Sequence, residues 1–195
     1  MSNSISSVCV YCGSRPGKAE HYTEMATVVG EGLARRGIQM VFGAGSVGLM
    51  GIAARAAMKA GGHVTGIIPA HLDDIEVTQP GLDEIHITDN MHDRKRMMFD
   101  RSDAFVILPG GLGTLDEMME IITWSQLSLH KKPILLLNHN GYWDHVLALF
   151  DHIVEEGFAA PTIYDLFDIA QSPDDLFSIL EQSESGNGSG RSDLL

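Results

Sequence analysis

The chain has 195 residues, of which 44% are hydrophobic, and this length and composition suit one domain with a substantial core. Its 26 acidic and 13 basic residues give a formal net charge of −13, which argues against nucleic acid and anionic membranes as main partners. No apolar run is long enough to span a membrane, and the first residues lack a basic region followed by a hydrophobic stretch, so we expect a cytoplasmic protein.

Strand and helix patterns alternate along the first half of the chain. Residues 7–12 are typical of a strand, residues 19–36 of a helix and residues 38–42 of a second strand. A glycine-rich turn at 43–51 opens a helix rich in alanine, and a third strand follows at 64–68. This alternation predicts a parallel sheet with helices on both faces.

The alternation continues through the second half. Further strands are predicted at 84–88, 103–108, 134–138 and 164–170, and further helices at 91–101, 114–129, 142–156 and from 173 onward. Ser172 can cap the last helix, with Pro173 at its first position. We therefore expect an α/β fold, in which one Rossmann-like domain over residues 7–182 contains a doubly wound sheet. Residues 1–6 and the Ser/Gly-rich tail at 183–195 are expected to be disordered.

The two cysteines, Cys9 and Cys12, have the Cys-x-x-Cys spacing of some redox and metal sites. They lie in a strand-like run, however, where their side chains would point to opposite faces. The nine histidines show no convincing ligand spacing either. The sequence therefore supports neither a metal site nor a cofactor.

The connection at 69–83 is long and contains three acidic residues, Asp73, Asp74 and Glu76. Loops of this length without regular structure are often functional, but a solvated acidic loop would have the same composition. Both interpretations stay open.

A charged run, Met91-His92-Asp93-Arg94-Lys95-Arg96, begins the helix at 91–101, which Asp89 or Asn90 can cap. Such a run is typical of a solvated helix face. It is also the densest cationic cluster in an acidic protein, and Arg94 could contact a phosphate or hold a carboxylate by two hydrogen bonds.

A glycine turn, Pro109-Gly110-Gly111-Leu112-Gly113-Thr114, joins the apolar strand at 103–108 to a helix. Open backbone N–H groups and the helix dipole would favour an anion such as phosphate there. Thr114 and Glu117 also have the spacing of a capping box, which would give Glu117 a structural role.

Turns rich in glycine or small residues follow three strands, at 13–17, 43–51 and 109–114. In a doubly wound sheet, ligands bind beyond the carboxyl ends of strands, where these turns would lie. None of them has the Gly-Lys-Ser/Thr of a P-loop, and no dinucleotide fingerprint is convincing. A mononucleotide or sugar phosphate fits this pattern better than ATP hydrolysis or NAD chemistry.

Taken together, the stretch 109–117 and the run 91–95 resemble the paired signature of the Lonely Guy family, the cytokinin riboside 5'-monophosphate phosphoribohydrolases. Members of this family were long labelled as possible lysine decarboxylases. The likeness includes 10–14, 43–51 and 121–127 and covers residues 8 to about 182. Two mild departures are Ala44, where glycine is common, and Asp116, where glutamate is common.

The resemblance implies a Rossmann-like homodimer that hydrolyses the N-glycosidic bond of a nucleoside 5'-monophosphate, such as AMP or isopentenyladenosine 5'-monophosphate, without a cofactor. Arg94 and Glu117 match the catalytic pair of the family. Glu117 would stabilise positive charge on the ribose and orient or deprotonate water, while Arg94 positions Glu117. The substrate contacts would be Glu76, Lys95, Gly111, Leu112, Gly113, Thr114, Leu115, Asp116 and Thr123.

Two alternatives stay open at this point. A nucleotide-binding or carrier protein could use the same fold without catalysis. A lysine decarboxylase would ordinarily need pyridoxal phosphate on a lysine, and no lysine here lies in a recognisable cofactor motif. Base preference is open as well: Met97, Met98 and Trp124 could line an apolar slot, but such residues at helical spacing are typical of a core or dimer interface.

Overall fold

The computed structural model describes residues 4–73 and 78–185. Within these ranges, a single sheet contains seven strands, all of which pair in parallel. The strands are β1 (Ser7–Tyr11), β2 (Gln39–Phe42), β3 (Val64–Pro69), β4 (Glu84–Thr88), β5 (Ala104–Ile107), β6 (Ile134–Leu137) and β7 (Asp168–Ala170). The helices are α1 (Glu20–Arg35), α2 (Gly48–Lys59), α3 (Ala70–Asp73), α4 (Met91–Asp100), α5 (Leu112–Gln126), α6 (Asp144–Glu155) and α7 (Pro173–Ser185), with 3₁₀ turns at His139–Gly141 and Pro161–Leu166.

The order of the strands places a crevice at the centre of the sheet. The order is β4-β3-β2-β1-β5-β6-β7, so the chain moves outward from β1 to β4 and then returns to the other side of β1. Strands β1 and β5 pair from Val8 opposite Ala104 to Tyr11 opposite Ile107. Such a reversal opens a ligand crevice beyond the carboxyl ends of the two strands. The predicted doubly wound sheet is confirmed.

Alternating side chains of the sheet build two cores. One face packs against α1, α2 and α7, and the other packs against α4, α5 and α6. Cys12 lies in the first core and Cys9 in the second, both as free thiols, so the predicted placement on opposite faces is confirmed. None of the helices in the described ranges is both long and apolar enough to cross a membrane.

Described residues lie beyond the predicted domain limits at both ends. Residues 1–6 were expected to be disordered, and residues 1–3 of that segment lie outside the described residues. Ile5, however, is buried in a core, and the backbone N–H and hydroxyl of Ser6 donate to Asp103 at 2.9 and 2.8 Å. At the other end, α7 continues to Ser185 rather than 182, because Leu180 anchors its last turns in the core. The remainder of the predicted tail, 186–195, lies outside the described residues.

The connection at 69–83 differs from the predicted loop without regular structure. Residues 70–73 form the short helix α3, and Thr78 makes an isolated antiparallel bridge to Gly45. The next residue is also tied down, because the N–H of Gln79 donates to the carbonyl of Ala44 at 2.8 Å. The end of this connection is therefore fixed against the turn that follows β2.

Candidate active site

The turns after β1, β2 and β5 meet at the carboxyl edge of the sheet. The N–H of Gly13 donates to the carbonyl of Pro109 at 3.0 Å, and the carbonyl of Gly13 accepts from Leu49 N–H at 2.9 Å. Ala44, which departs from the family pattern, has φ 63, in the left-handed region that favours glycine. The three turns therefore form one continuous rim around the crevice, as their position after parallel strands predicts.

Helix α5 begins two residues earlier than expected, so the predicted capping box is wrong. Gly111 takes the N-cap position, and its carbonyl accepts from Leu115 N–H at 3.0 Å. Thr114 is therefore inside the first turn, where it is buried against Gly110. Glycine is itself an acceptable N-cap residue, which lets the helix start before the threonine. Glu117 consequently has no capping role.

The start of α5 faces open space. Within residues 4–73 and 78–185, nothing lies within 4 Å of a side chain added at Gly111 or Gly113, and Leu112 is 85% exposed. The first N–H groups of a helix have no partner inside the helix, and together they carry its positive dipole end. No residue in the described part of the chain crowds this helix start, so it can accept an anionic group.

A cavity of about 600 Å³ adjoins the glycine turn on the α1 side. Its wall consists of residues 13–17, Tyr22, Leu49, 109–112 and Tyr142. The hydroxyl of Tyr142 donates to the carbonyl of Gly110 at 2.6 Å and so fixes one edge of the turn. The volume of the cavity lies within the range of small-molecule sites. Arg94, on α4, and Glu117, on α5, are not among the residues that line this cavity.

Arg15 is the one arginine whose side chain has no hydrogen bond or ion pair among the described residues, and it lines this cavity. The other arginines in those ranges pair with carboxylates or donate to other protein oxygens. An unpaired guanidinium beside an open helix N-terminus is suited to a phosphate. Sequence reasoning missed Arg15 and Tyr142. Only the position of Arg15 in the turn after β1 could have drawn attention to it.

Arg94 is buried and held by backbone carbonyls. Its Nε donates to Ile67 O and its Nη2 donates to Gly43 O, each at 3.1 Å. A methyl group at Gly43 would lie 1.8 Å from Nη2, so the guanidinium occupies the space that a side chain would need. The solvated-face interpretation is therefore wrong for Arg94 and Lys95, although it holds for the exposed Arg96. The predicted cap is confirmed, since Asn90 accepts from Asp93 N–H at 3.0 Å.

Glu117 lies one turn into α5, close to this fixed cation. Its Oε1 is 4.0 Å from Arg94 Nη1, and its side chain is 12% exposed. Burial raises the pKa of Glu117 from its ordinary value of 4.5 to about 7, against the opposing effect of Arg94. A carboxyl group with a pKa near neutrality can exchange protons during a reaction at physiological pH.

Lys95 forms a second charged group next to this pair. Its Nζ lies 3.1 Å from Asp116 and 3.1 Å from Glu120, and its side chain is 10% exposed. Burial alone would lower the pKa of Lys95, but hydrogen bonds to Asp116 and Glu120 raise it above the usual value. Sequence reasoning missed Glu120, although its position four residues after Asp116 places both carboxylates on one face of α5.

The remaining predicted contacts are not gathered at this point. Glu76 lies outside the described residues. Thr123 is exposed on α5, where its hydroxyl donates to Met119 O at 2.7 Å, about 9 Å along the helix from Glu117. Met98 is buried in the core, and Trp124 packs edge-on against Phe99 at 5.1 Å between ring centroids. The core interpretation is therefore confirmed for Met98, which leaves no room for it to line an apolar slot.

Comparison with known proteins gives two kinds of likeness. A family model described as "possible lysine decarboxylase" matches residues 50–180. A "probable cytokinin riboside 5'-monophosphate phosphoribohydrolase" of Oryza sativa subsp. japonica is 46% identical over 175 residues, which span 90% of this chain and 71% of the relative. A cytokinin riboside 5'-monophosphate phosphoribohydrolase of Arabidopsis thaliana is 44% identical over 174 residues, 89% of this chain and 76% of the relative.

Among solved structures, the molybdenum cofactor carrier protein of Chlamydomonas reinhardtii superposes with a TM-score of 0.70. The match covers 92% of this chain and 98% of the carrier protein, but sequence identity is only 21%. This likeness shows a shared fold and carries no statement about the ligand.

Proposed function

Because the chain belongs to the Lonely Guy family of cytokinin riboside 5'-monophosphate phosphoribohydrolases, we propose that it hydrolyses the N-glycosidic bond of a nucleoside 5'-monophosphate. The products are the free base and ribose 5-phosphate. Isopentenyladenosine 5'-monophosphate and AMP are the two substrates to compare. The observation that supports this activity most directly is the sheltered pair of Arg94 and Glu117 beside the open start of α5.

The 5'-phosphate binds at the start of α5 in this proposal. Open N–H groups around Gly111 and Gly113 supply hydrogen bonds, and the free guanidinium of Arg15 supplies positive charge. This local charge opposes the repulsion that a phosphate meets from a protein with a formal net charge of −13. Phosphate binding supplies energy remote from the bond that breaks, which orients the ribose toward Glu117.

The reaction itself develops positive charge on the ribose as the base leaves with the bonding electron pair. Glu117, as a carboxylate, stabilises that charge and takes a proton from water, whose oxygen bonds to C1' of the ribose. The base carries away the electron pair of the broken bond and gains a proton, while Glu117 gives up the proton that it took from water, so that one water is divided between ribose and base and the carboxylate is restored. Arg94 is held by Ile67 and Gly43, so it keeps its place while Glu117 changes its protonation state.

A carrier without catalysis has less support. The structural likeness to the molybdenum cofactor carrier protein, at 21% identity, concerns the fold alone. Glu117 is a buried carboxyl group next to an arginine, and its pKa is raised to about 7. A hydrolase can use such a group to exchange protons, whereas a carrier has no need for it.

Lysine decarboxylation is also disfavoured. A lysine that forms an imine must lose its proton readily, and enzymes achieve this by lowering its pKa. Lys95, the lysine beside Arg94 and Glu117, is instead paired with two carboxylates that raise its pKa. This environment keeps the amine protonated, so it opposes covalent chemistry at Lys95.

We further propose that the protein works as a homodimer in the cytoplasm, as one catalytic domain that binds neither nucleic acid nor membranes. The family resemblance supports the dimer, and the net charge of −13 disfavours polyanionic partners. Chromatography of the products tests the activity: each nucleotide should yield its free base and ribose 5-phosphate in equal amounts. Intact nucleotide after prolonged incubation with folded protein would refute it.

A further inference from the structure

The ion pairs of Lys95 are unequal in their surroundings. Its Nζ is equally close to Asp116 and Glu120, but the side chain of Asp116 is 60% exposed and that of Glu120 is 24% exposed. Water screens an exposed ion pair strongly, and such pairs contribute little. Glu120 is therefore the partner that compensates most of the charge of Lys95.

This compensation matters because Lys95 itself is buried, with a side chain only 10% exposed. A buried ammonium group without a nearby carboxylate would be unstable in that position. Lys95 also directly follows Arg94 on α4, whereas Glu120 lies on α5, less than one turn after Glu117. The Lys95–Glu120 contact therefore links the two helices that carry Arg94 and Glu117.

We propose that Glu120 is a positioning residue that, by holding Lys95, fixes α4 against α5 and so sets the placement and charge environment of Arg94 and Glu117. This role rests on the proposed hydrolase function. Glu120 acts through its ion pair with Lys95 and through its charge.

The charges around Glu117 give this role a measurable signature. The titratable groups that face Glu117 are Arg94 and Lys95 from α4, Asp116 and Glu120 from α5, Cys9 and Tyr11 from β1, and Cys12 directly after β1. Among these, Lys95 lowers the pKa of Glu117, and Glu120 raises it. Neutral replacements of Lys95 and Glu120 should therefore move the titration of Glu117 in opposite directions.

The test compares the pH dependence of kcat/KM in the wild type, Glu120→Gln, Lys95→Met and the double variant. We expect the midpoint of the ascending limb to fall by about half a pH unit or more in Glu120→Gln, to rise in Lys95→Met and to return toward the wild type in the double variant. At the pH optimum, kcat of Glu120→Gln should fall about tenfold or more because misplaced catalytic groups lose rate. Glu120→Asp keeps the charge and should recover part of kcat at the wild-type midpoint.

A structural role alone would lower thermal stability without moving the midpoint. An unchanged midpoint in both single variants therefore overturns the proposal, whatever happens to stability. Glu155→Gln, an exposed carboxylate on α6, is the matched control and should behave as the wild type. If Glu120→Gln does not fold, the pH profiles of Lys95→Met and Glu120→Asp decide the question. A midpoint in Lys95→Met that equals the wild-type value then overturns the proposal.

A second measurement separates this proposal from the hydrolase function. Competitive labelling with acetic anhydride reports the reactivity of the Lys95 amine without any need for turnover. Labelling of Lys95 should be several-fold faster in Glu120→Gln than in the wild type, because the lysine loses its sheltered counter-charge. Wild-type protein that releases no base refutes the hydrolase function, whereas unchanged labelling of Lys95 refutes the role of Glu120.

Discussion

Nη1 of Arg94 lies 4.0 Å from Oε1 of Glu117, which is close enough for charge attraction but too far for a hydrogen bond. The other donors of Arg94 are engaged by Ile67 O and Gly43 O. The arginine is thus fixed without help from Glu117, and no group in the described ranges donates a hydrogen bond to the carboxyl oxygens of Glu117, which the proposed reaction assigns to water and ribose.

The difference in the free energy of unfolding between Glu117→Gln and the wild type should depend on pH. The unfolded chain ionises Glu117 near pH 4.5, but the folded protein holds its proton until about pH 7, so ionisation of Glu117 destabilises the fold as pH rises between these values. Glutamine removes this cost, which is about 3 kcal/mol above pH 7. Urea unfolding should show the variant to be more stable at pH 8 and equal to the wild type at pH 4. A pH-independent difference would contradict the assigned environment.

The rate should rise with pH if the carboxylate form of Glu117 is the active one. With a pKa of about 7, kcat/KM is expected to increase by nearly tenfold per pH unit on the acid side and to level off above neutrality. The control is the pH profile of the residual activity of Glu117→Gln. If kcat/KM of this variant still rises with pH, that rise belongs to the substrate phosphate, whose second pKa is about 6. A rate that falls across this range would instead make Glu117 a proton donor.

Gly43→Ala should displace the guanidinium of Arg94, although the two residues are far apart in the sequence. The new methyl group would lie 1.8 Å from Nη2, so the guanidinium must move. A displacement of about 1 Å can lower the rate about a hundredfold, which sets the expected loss in kcat/KM. Adding Gly43→Ala to Arg94→Ala should cause little further loss, because both changes remove the same group. Wild-type kcat/KM in Gly43→Ala would show that the position of Arg94 is unimportant.

Arg15→Gln should weaken substrate binding and leave the chemical step largely intact. Loss of a charge-assisted hydrogen bond to phosphate raises KM about tenfold or more, and kcat stays near the wild-type value. The neighbouring exposed Lys18, outside the cavity wall, offers a matched control as Lys18→Gln. Equal effects of the two substitutions on KM would mean that only overall charge matters, and not a phosphate contact at Arg15.

Local pattern predicted much of the fold, because its elements are set by short-range periodicity. Strands, helices and the three turns at one sheet edge could be predicted from apolar runs that end at glycine. The start of α5 could not, since Gly111 and Thr114 are both acceptable N-caps and the sequence does not rank them.

The contacts that organise the site were beyond sequence reasoning because they join distant segments. Gly43 and Arg94 are 51 positions apart, and Tyr142 and Gly110 are 32 apart. Every residue has a backbone carbonyl, so the sequence does not show which carbonyls an arginine will bind. The partners of Arg94 become visible only when α4 is packed over the ends of β2 and β3. The motif at 91–95 made Arg94 a candidate, and the structure supplied the reason for its fixed position.

The most direct test of the central claim is product analysis by chromatography for the wild type and Glu117→Gln, each incubated with AMP and with isopentenyladenosine 5'-monophosphate. We predict that the wild type releases free base and ribose 5-phosphate and that Glu117→Gln, although folded and more stable at pH 8, releases almost none. The ratio of wild-type rates then gives the base preference. Near-wild-type turnover by Glu117→Gln would contradict the catalytic role of this carboxylate, and intact nucleotides with the wild type would contradict the hydrolase function itself.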